Sequence, residues 1–213
     1  MKSKNPIIPG DLVTTITSFN KRIEFAGTVG NSIHIDVVDS GFADGRCLKV
    51  ESWPVINIDY SEAHLMVREP IGYFPLLKEK KITRAIIHVE SDFNLEDLQF
   101  AARQNDILLG FAVNPDTDLN RVKPFLAVSN YVQVMGIYPG KTGQPYLSQT
   151  PLAVSYFRNL QQRLTITVDG GVSLENIPEL RQAGADYFVA SSSIYDQGNW
   201  AENYQQLMEI AQG

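Results

Sequence analysis

Eight short runs rich in apolar and β-branched residues recur along this chain, with segments of helical period or composition between them. The runs are IIPGDLVT (7–14), SIHIDVV (32–38), VINIDY (55–60, continuing towards HLMV at 64–67), RAIIHVE (84–90), ILLGFAV (107–113), YVQVMGI (131–137), LTITVD (164–169) and DYFVAS (186–191). The helical segments include TSFNKRIEFAG, NLEDLQFAARQN, TDLNRVKPFLAV, TPLAVSYFRNLQQR, LENIPELRQAGA and NWAENYQQLMEIAQ. Strands that are nearly all apolar are buried on both faces, which marks a parallel sheet covered by helices. Strands alternating with helices make βαβ units. Eight such units predict a (β/α)8 TIM barrel in preference to an open doubly wound sheet. The length, 213 residues, suits one barrel of ~200 to 250 residues. No low-complexity stretch, charge block or linker divides the chain, so residues 1–213 are expected to form a single domain. The least regular units are the first run, interrupted by Pro9 and Gly10, and the stretch GFADGRCLKVESWP, where a helix is poorly written. Ser173 is the expected N-cap of the helix after the seventh run.

The formal net charge of −6 supplies no overall positive field for nucleic acid or an acidic membrane. A single cysteine, Cys47, excludes an internal disulfide and fits a reducing compartment. No apolar stretch approaches the ~18 residues of a membrane span, and MKSKNPIIPG has no secretory h-region. A cytoplasmic protein is the expectation.

In a barrel of this kind the active site forms where strands end and βα loops begin. His34 and Asp36 stand two apart in one run, so they project from the same face. His64 and Asp169 close two further runs and can converge on them. Two imidazoles and two carboxylates form a mixed N/O set suited to one divalent metal ion, whether Zn, Fe, Mn or Co. Each residue alone has a plainer explanation: a hydrogen-bonded core histidine, a turn-forming aspartate or a helix-capping aspartate. Together they are harder to explain as structure, because a buried unpaired carboxylate is costly. His88 and Met135 also fall near strand ends, with His88 open to either reading.

Two loops suggest a phosphate site. Gly170 and Gly171 follow the seventh run, Ser191 and Ser192 the eighth, and the phosphate site of such barrels commonly uses these loops. GIYPGKTGQ only superficially suggests a nucleotide P-loop. Gly136 and Gly140 enclose three residues where the motif requires four, so ATP binding is rejected. This segment, with Gly140 and Gly143, is expected to be a loop that closes over substrate.

HIDVVDSGF, HLMVREP, IIHVE, AVNPDT, VMGIYPGKTGQPY, TVDGGVSLENI and AGADYFVASSSIY occur in the order found in ribulose-phosphate 3-epimerases, and the chain resembles that family over nearly its whole length. The resemblance implies one divalent metal held by His34, Asp36, His64 and Asp169, with Asp36 and Asp169 as the paired acid and base. It implies that Met66 and Met135 line the reacting carbons and that Gly170, Gly171, Ser191 and Ser192 grip phosphate. The implied reaction interconverts D-ribulose 5-phosphate and D-xylulose 5-phosphate. Alternatives are an allulose-6-phosphate-type 3-epimerase and a divergent barrel that binds a sugar phosphate without turnover. A decarboxylase of the same superfamily is disfavoured, because VINIDYSEAH lacks the lysine of its Asp-x-Lys-x-x-Asp arrangement. Homo-oligomerisation is common in the family and is expected here.

The chain departs from the family pattern in the loops. Gly10 and Val13 occupy two serine positions of the first strand, and Val38 and Ser40 replace a methionine and a glycine. Ser191 replaces a glycine, Tyr138 a small polar or acidic residue, and Lys141 an aromatic lid residue. Lys141 is a candidate contact for a phosphate or carboxylate. These changes fall on substrate contacts and spare the metal ligands.

Overall fold

A computed structural model describes residues 3–140 and 143–213; the expected role of Lys141 therefore lies outside the described residues. Eight parallel strands close into a barrel in sequence order, a single (β/α)8 TIM barrel as the alternation predicts. The strands are β1 (Ile7–Asp11), β2 (Ser32–Val38), β3 (Tyr60–Met66), β4 (Arg84–His88), β5 (Leu108–Val113), β6 (Tyr131–Met135), β7 (Thr165–Asp169) and β8 (Tyr187–Ala190). Around them lie α1 (Ile16–Val29), α2 (Phe74–Glu79), α3 (Leu95–Gln104), α4 (Thr150–Leu160), α5 (Ile177–Ala183), α6 (Ser192–Tyr195) and α7 (Trp200–Gln212). β8 pairs with β1 through Ile7 and Phe188, which shuts the ring.

Strand residues alternate between two environments. Ile33, Ile35, Val37, Ala63, Leu65, Ile87, Val132, Val134, Ile166, Val168 and Phe188 join the helices in one continuous apolar core. The alternate positions point into the barrel, and several are polar: His34, Glu62, His64, His88, Gln133 and Thr167 are all fully buried. The irregular first run still makes a strand. Gly10 runs so close to β8 that a Cβ there would sit 2.9 Å from Val189, and Pro9 pairs in register with Ala190 of β8.

Three local expectations change. The third strand begins only at Tyr60, the last residue of VINIDY, because residues 54–58 run as irregular chain tied to the segment after α2 by Ile56 N–H donating to Lys80 O (2.9 Å). Ser173 does not cap α5: a turn intervenes, and Asn176 takes the cap position, its Oδ1 accepting from Ser173 N (2.9 Å) and its Nδ2 donating to Gly171 O (2.8 Å). The segment Leu119–Ala127 forms a 3-10 helix, in which Pro124 has no N–H to donate to a regular α-helical ladder. Between β2 and β3 only the short 3-10 turn Val50–Ser52 forms. No helix of the described residues is long and apolar enough to cross a membrane.

Candidate active site and metal centre

Parallel pairing of β2 with β3 sets His34 opposite Glu62, Asp36 opposite His64 and Val38 opposite Met66. On the other side of the barrel, β6 and β7 set Met135 opposite Asp169. The two strand pairs bring His34, Asp36, His64 and Asp169 together, with one ligand atom from each lying within 4.8 Å of all the others. His34 Nε2 is 3.3 Å from Asp36 Oδ1 and 3.6 Å from Asp169 Oδ2. His64 Nδ1 is 2.9 Å from Asp36 Oδ1 and 3.1 Å from Asp169 Oδ2. Both imidazoles are wholly buried, while the two carboxylates reach the cavity with only 13% and 11% of their side chains exposed.

That cavity opens at the C-terminal ends of the strands. Asp36, Met66, Met135, Gly140, Gly143, Asp169, Gly170, Gly171, Ser191 and Ser192 all line it, joined by Leu12 and Tyr138. Among the described residues, His34, His64 and His88 do not line the wall; His34 and His64 sit beside the two carboxylates. Gly170 and Gly171 have φ of +97° and +67°, a left-handed pair that side-chain-bearing residues rarely adopt. Successive backbone N–H groups in such turns make concavities for anions.

Several residues that hold the cluster were not singled out from sequence. Glu62 Oε1 lies 2.8 Å from His34 Nδ1, and its Oε2 accepts from Tyr60 OH (2.6 Å) and Tyr131 OH (3.0 Å). Thr167 Oγ1 donates to Tyr131 OH (2.7 Å). Gln133 Nε2 donates to Asp169 Oδ2 (3.0 Å), fixing that carboxylate from below. A signal for Glu62 existed: an acidic residue two positions before His64 shares its face, as His34 shares that of Asp36. His88 stands outside the four-residue cluster, with its Nε2 2.8 Å from His64 Nε2.

The electrostatics demand positive charge at the centre. Burial opposes charge on His34, yet Asp169, Asp36 and Glu62 outweigh it and hold this imidazole well above its ordinary range. His64 is raised in the same way by Asp169 and Asp36 against its own desolvation. Burial would lift the Asp169 carboxyl, but His34 and His64 together draw it down. His88 behaves differently: desolvation dominates and lowers it to about 4, leaving a neutral ring. His34 Nε2, aimed at the two carboxylates, has no hydrogen-bond partner. An orphaned imidazole nitrogen facing two carboxylates is a costly arrangement without a cation, and the N2O2 donor set suits a first-row divalent ion. The residues fit a metal, and the cluster could hold one.

The sequence model of the ribulose-phosphate 3 epimerase family matches residues 9–195. Ribulose-phosphate 3-epimerase of Chlamydia pneumoniae is 28% identical over 200 residues, covering 90% of this chain and 86% of its own length. The Schizosaccharomyces pombe protein of the same name is 28% identical over 169 residues, covering 76% and 74%. Among solved structures, orotidine 5'-monophosphate decarboxylase from Sulfolobus solfataricus superposes with a TM-score of 0.65 over 98% of both chains. At 14% identity that likeness is one of fold.

Proposed function

Because the chain belongs to the ribulose-phosphate 3-epimerase family, we propose that it is a metal-dependent 3-epimerase of a ketose phosphate, with D-ribulose 5-phosphate and D-xylulose 5-phosphate as its substrate pair. The observation that carries this reading is the gathering of His34, Asp36, His64 and Asp169 within 4.8 Å at a cavity also lined by Gly170, Gly171, Ser191 and Ser192. One end of that cavity suits the reacting carbons and the other a phosphate.

Epimerisation at C3 requires a proton to leave one face of the carbon and another to arrive on the opposite face. Two carboxylates carried by different strands serve this, one as base and one as acid, with roles exchanged in the reverse direction. Asp36 and Asp169 take these roles. His34 Nε2, His64 Nδ1 and the two carboxylates would hold a divalent cation. When bound, the cation supplies charge stabilisation for the negative charge that develops on the substrate oxygens. Gln133 keeps Asp169 oriented, and Met66 and Met135 present apolar walls that exclude water from the reacting carbon. The backbone N–H groups around Gly170 and Gly171, with Ser191 and Ser192, bind the phosphate, and the loop bearing Tyr138, Gly140 and Gly143 closes the cavity.

Leu12 and Tyr138 line the same cavity and belong to segments that depart from the family pattern, which favours testing other ketose phosphates, allulose 6-phosphate among them. The test follows solvent deuterium into C3 of a panel of ketose phosphates with metal-replete protein. Incorporation into ribulose 5-phosphate is the expected result. Incorporation into only a different ketose phosphate reassigns the substrate, and none with any of them leaves a binding protein.

A further inference from the structure

His64 has two ring nitrogens and two different neighbourhoods. Its Nδ1 faces Asp36 and Asp169, while its Nε2 lies 2.8 Å from Nε2 of His88. Two imidazole nitrogens at hydrogen-bonding distance share one proton, so one donates and the other accepts. The second nitrogen of His88 decides which. His88 Nδ1 lies 3.2 Å from Glu90 Oε2, and an ionised carboxylate only accepts. Nδ1 of His88 therefore carries hydrogen, its Nε2 is bare, and the shared proton resides on His64 Nε2. A neutral His64 then has a lone pair on Nδ1, pointed at the two aspartates.

The far end of this relay is anchored. Glu90 is ionised, since interactions with His88, Thr117 and the backbone of Asn114 outweigh its burial, and its Oε1 accepts from Asn114 N–H (3.0 Å). The ring of Phe42 lies against His88 with centroids 4.7 Å apart, and His88 is fully buried, so water does not compete for its nitrogens. His34 has a carboxylate directly behind it, with Glu62 Oε1 2.8 Å from its Nδ1.

We propose that His88 and Glu90 are positioning residues that fix His64 as its Nε2–H tautomer, so that Nδ1 is the atom offered to the cation. The proposal rests on the metal reading above, but the tautomer itself is defined with or without metal. Groups behind a ligating imidazole typically set metal affinity by ~10- to 100-fold.

The experiment uses the full chain with 15N-labelled histidine, in the zinc-loaded form and in the metal-free form at alkaline pH, where the rings are neutral. Wild type is expected to show hydrogen on His64 Nε2 in both forms and a zinc-shifted Nδ1 in the first. His88→Gln retains a carbonyl acceptor for His64 Nε2–H and should keep both the tautomer and, within a few-fold, zinc affinity. His88→Leu removes the acceptor and should lower zinc affinity by about 10- to 100-fold with a mixed His64 tautomer. Glu90→Gln, isosteric and partly exposed, can donate to His88 Nδ1. It should therefore reverse the relay and populate Nδ1–H on His64. A metal-free wild-type His64 protonated on Nδ1, or a Glu90→Gln spectrum identical to wild type, would overturn the proposal. Wild-type protein that binds none of zinc, iron, manganese or cobalt yet shows the Nε2–H tautomer would overturn the metal reading and leave the tautomer assignment standing.

Discussion

His34 and Glu62 are partnered twice: they face each other in the β2–β3 register, and His34 Nδ1 meets Glu62 Oε1 at 2.8 Å in the fully buried middle of the barrel. The pairing explains how a carboxylate can survive with no exposure. Glu62 receives two tyrosine hydroxyls as well as the imidazole, and these interactions outweigh its desolvation and hold it ionised. In the polar lumen Glu62 is fully partnered, while His34 Nε2 and Gln133 Oε1 have no hydrogen-bond partner.

Replacing Glu62 separates its two contributions. Glu62→Gln keeps the shape and removes the charge behind His34, and should weaken zinc binding by about 10- to 100-fold. Glu62→Leu leaves His34, Tyr60 and Tyr131 without their acceptor and should destabilise the fold by about 3–5 kcal/mol. Calorimetric zinc titration checks the first and urea unfolding the second.

Asp36→Asn and Asp169→Asn should each reduce C3 proton exchange by on the order of 10²- to 10⁴-fold. Both side chains border the cavity and neither belongs to the apolar core around the barrel, so circular dichroism and cooperative melting should stay close to wild type. Near wild-type exchange in either variant would disprove the two-carboxylate scheme.

Asp11, which is not one of the four clustered ligands but feels the charge of Asp36, gives the barrel a pH dependence. Its side chain is fully buried against Arg22 (3.3 Å), and its Oδ2 has no hydrogen-bond partner. Burial raises the carboxyl from 3.8 to about 7 despite the pull of Arg22. Between those values the folded state binds more protons than the unfolded state, so this group's contribution falls as pH rises and levels off above about 7. Asp11→Asn, whose Oδ1 can still accept from Arg22, should remove that slope. The melting-temperature advantage of the variant over wild type should grow from pH 4 to pH 7. A constant difference across this window would show that Asp11 does not titrate there.

Gly170→Ala tests the turn after β7. The residue sits at φ +97°, and an added Cβ would collide with the Ile137 side chain. A stability loss of about 1–3 kcal/mol is expected, together with a raised KM for a phosphorylated substrate. Thermal unfolding and steady-state kinetics check the two effects separately.

The barrel was legible because its outer apolar positions repeat at strand spacing, and His34 and Asp36 were legible because two residues apart on a strand means one face. The same criterion sets the third strand too early, since the strand runs Tyr60–Met66. Val55, Ile56 and Ile58 look like strand residues, but YSEAHLM carries Ser61, Glu62 and His64 on a chain buried throughout, and an apolar criterion passes over it. Glu62, Gln133 and Tyr131 stayed hidden because an isolated polar residue in a strand does not reveal its partner until the barrel closes. The position of α5 depended on Asn176 bonding back to Gly171 and Ser173, a local choice that Ser173 alone did not signal.

Along each strand, stability and chemistry are written on alternate letters. In SIHIDVV the isoleucines and Val37 belong to the oily shell, while His34 and Asp36 belong to the reaction chamber. In β2 the two sets touch different neighbours, so a change in one leaves the contacts of the other in place. Saturation mutagenesis along β2, scored for both abundance and turnover, should place the abundance minima at Ile33, Ile35 and Val37 and the turnover minima at His34 and Asp36.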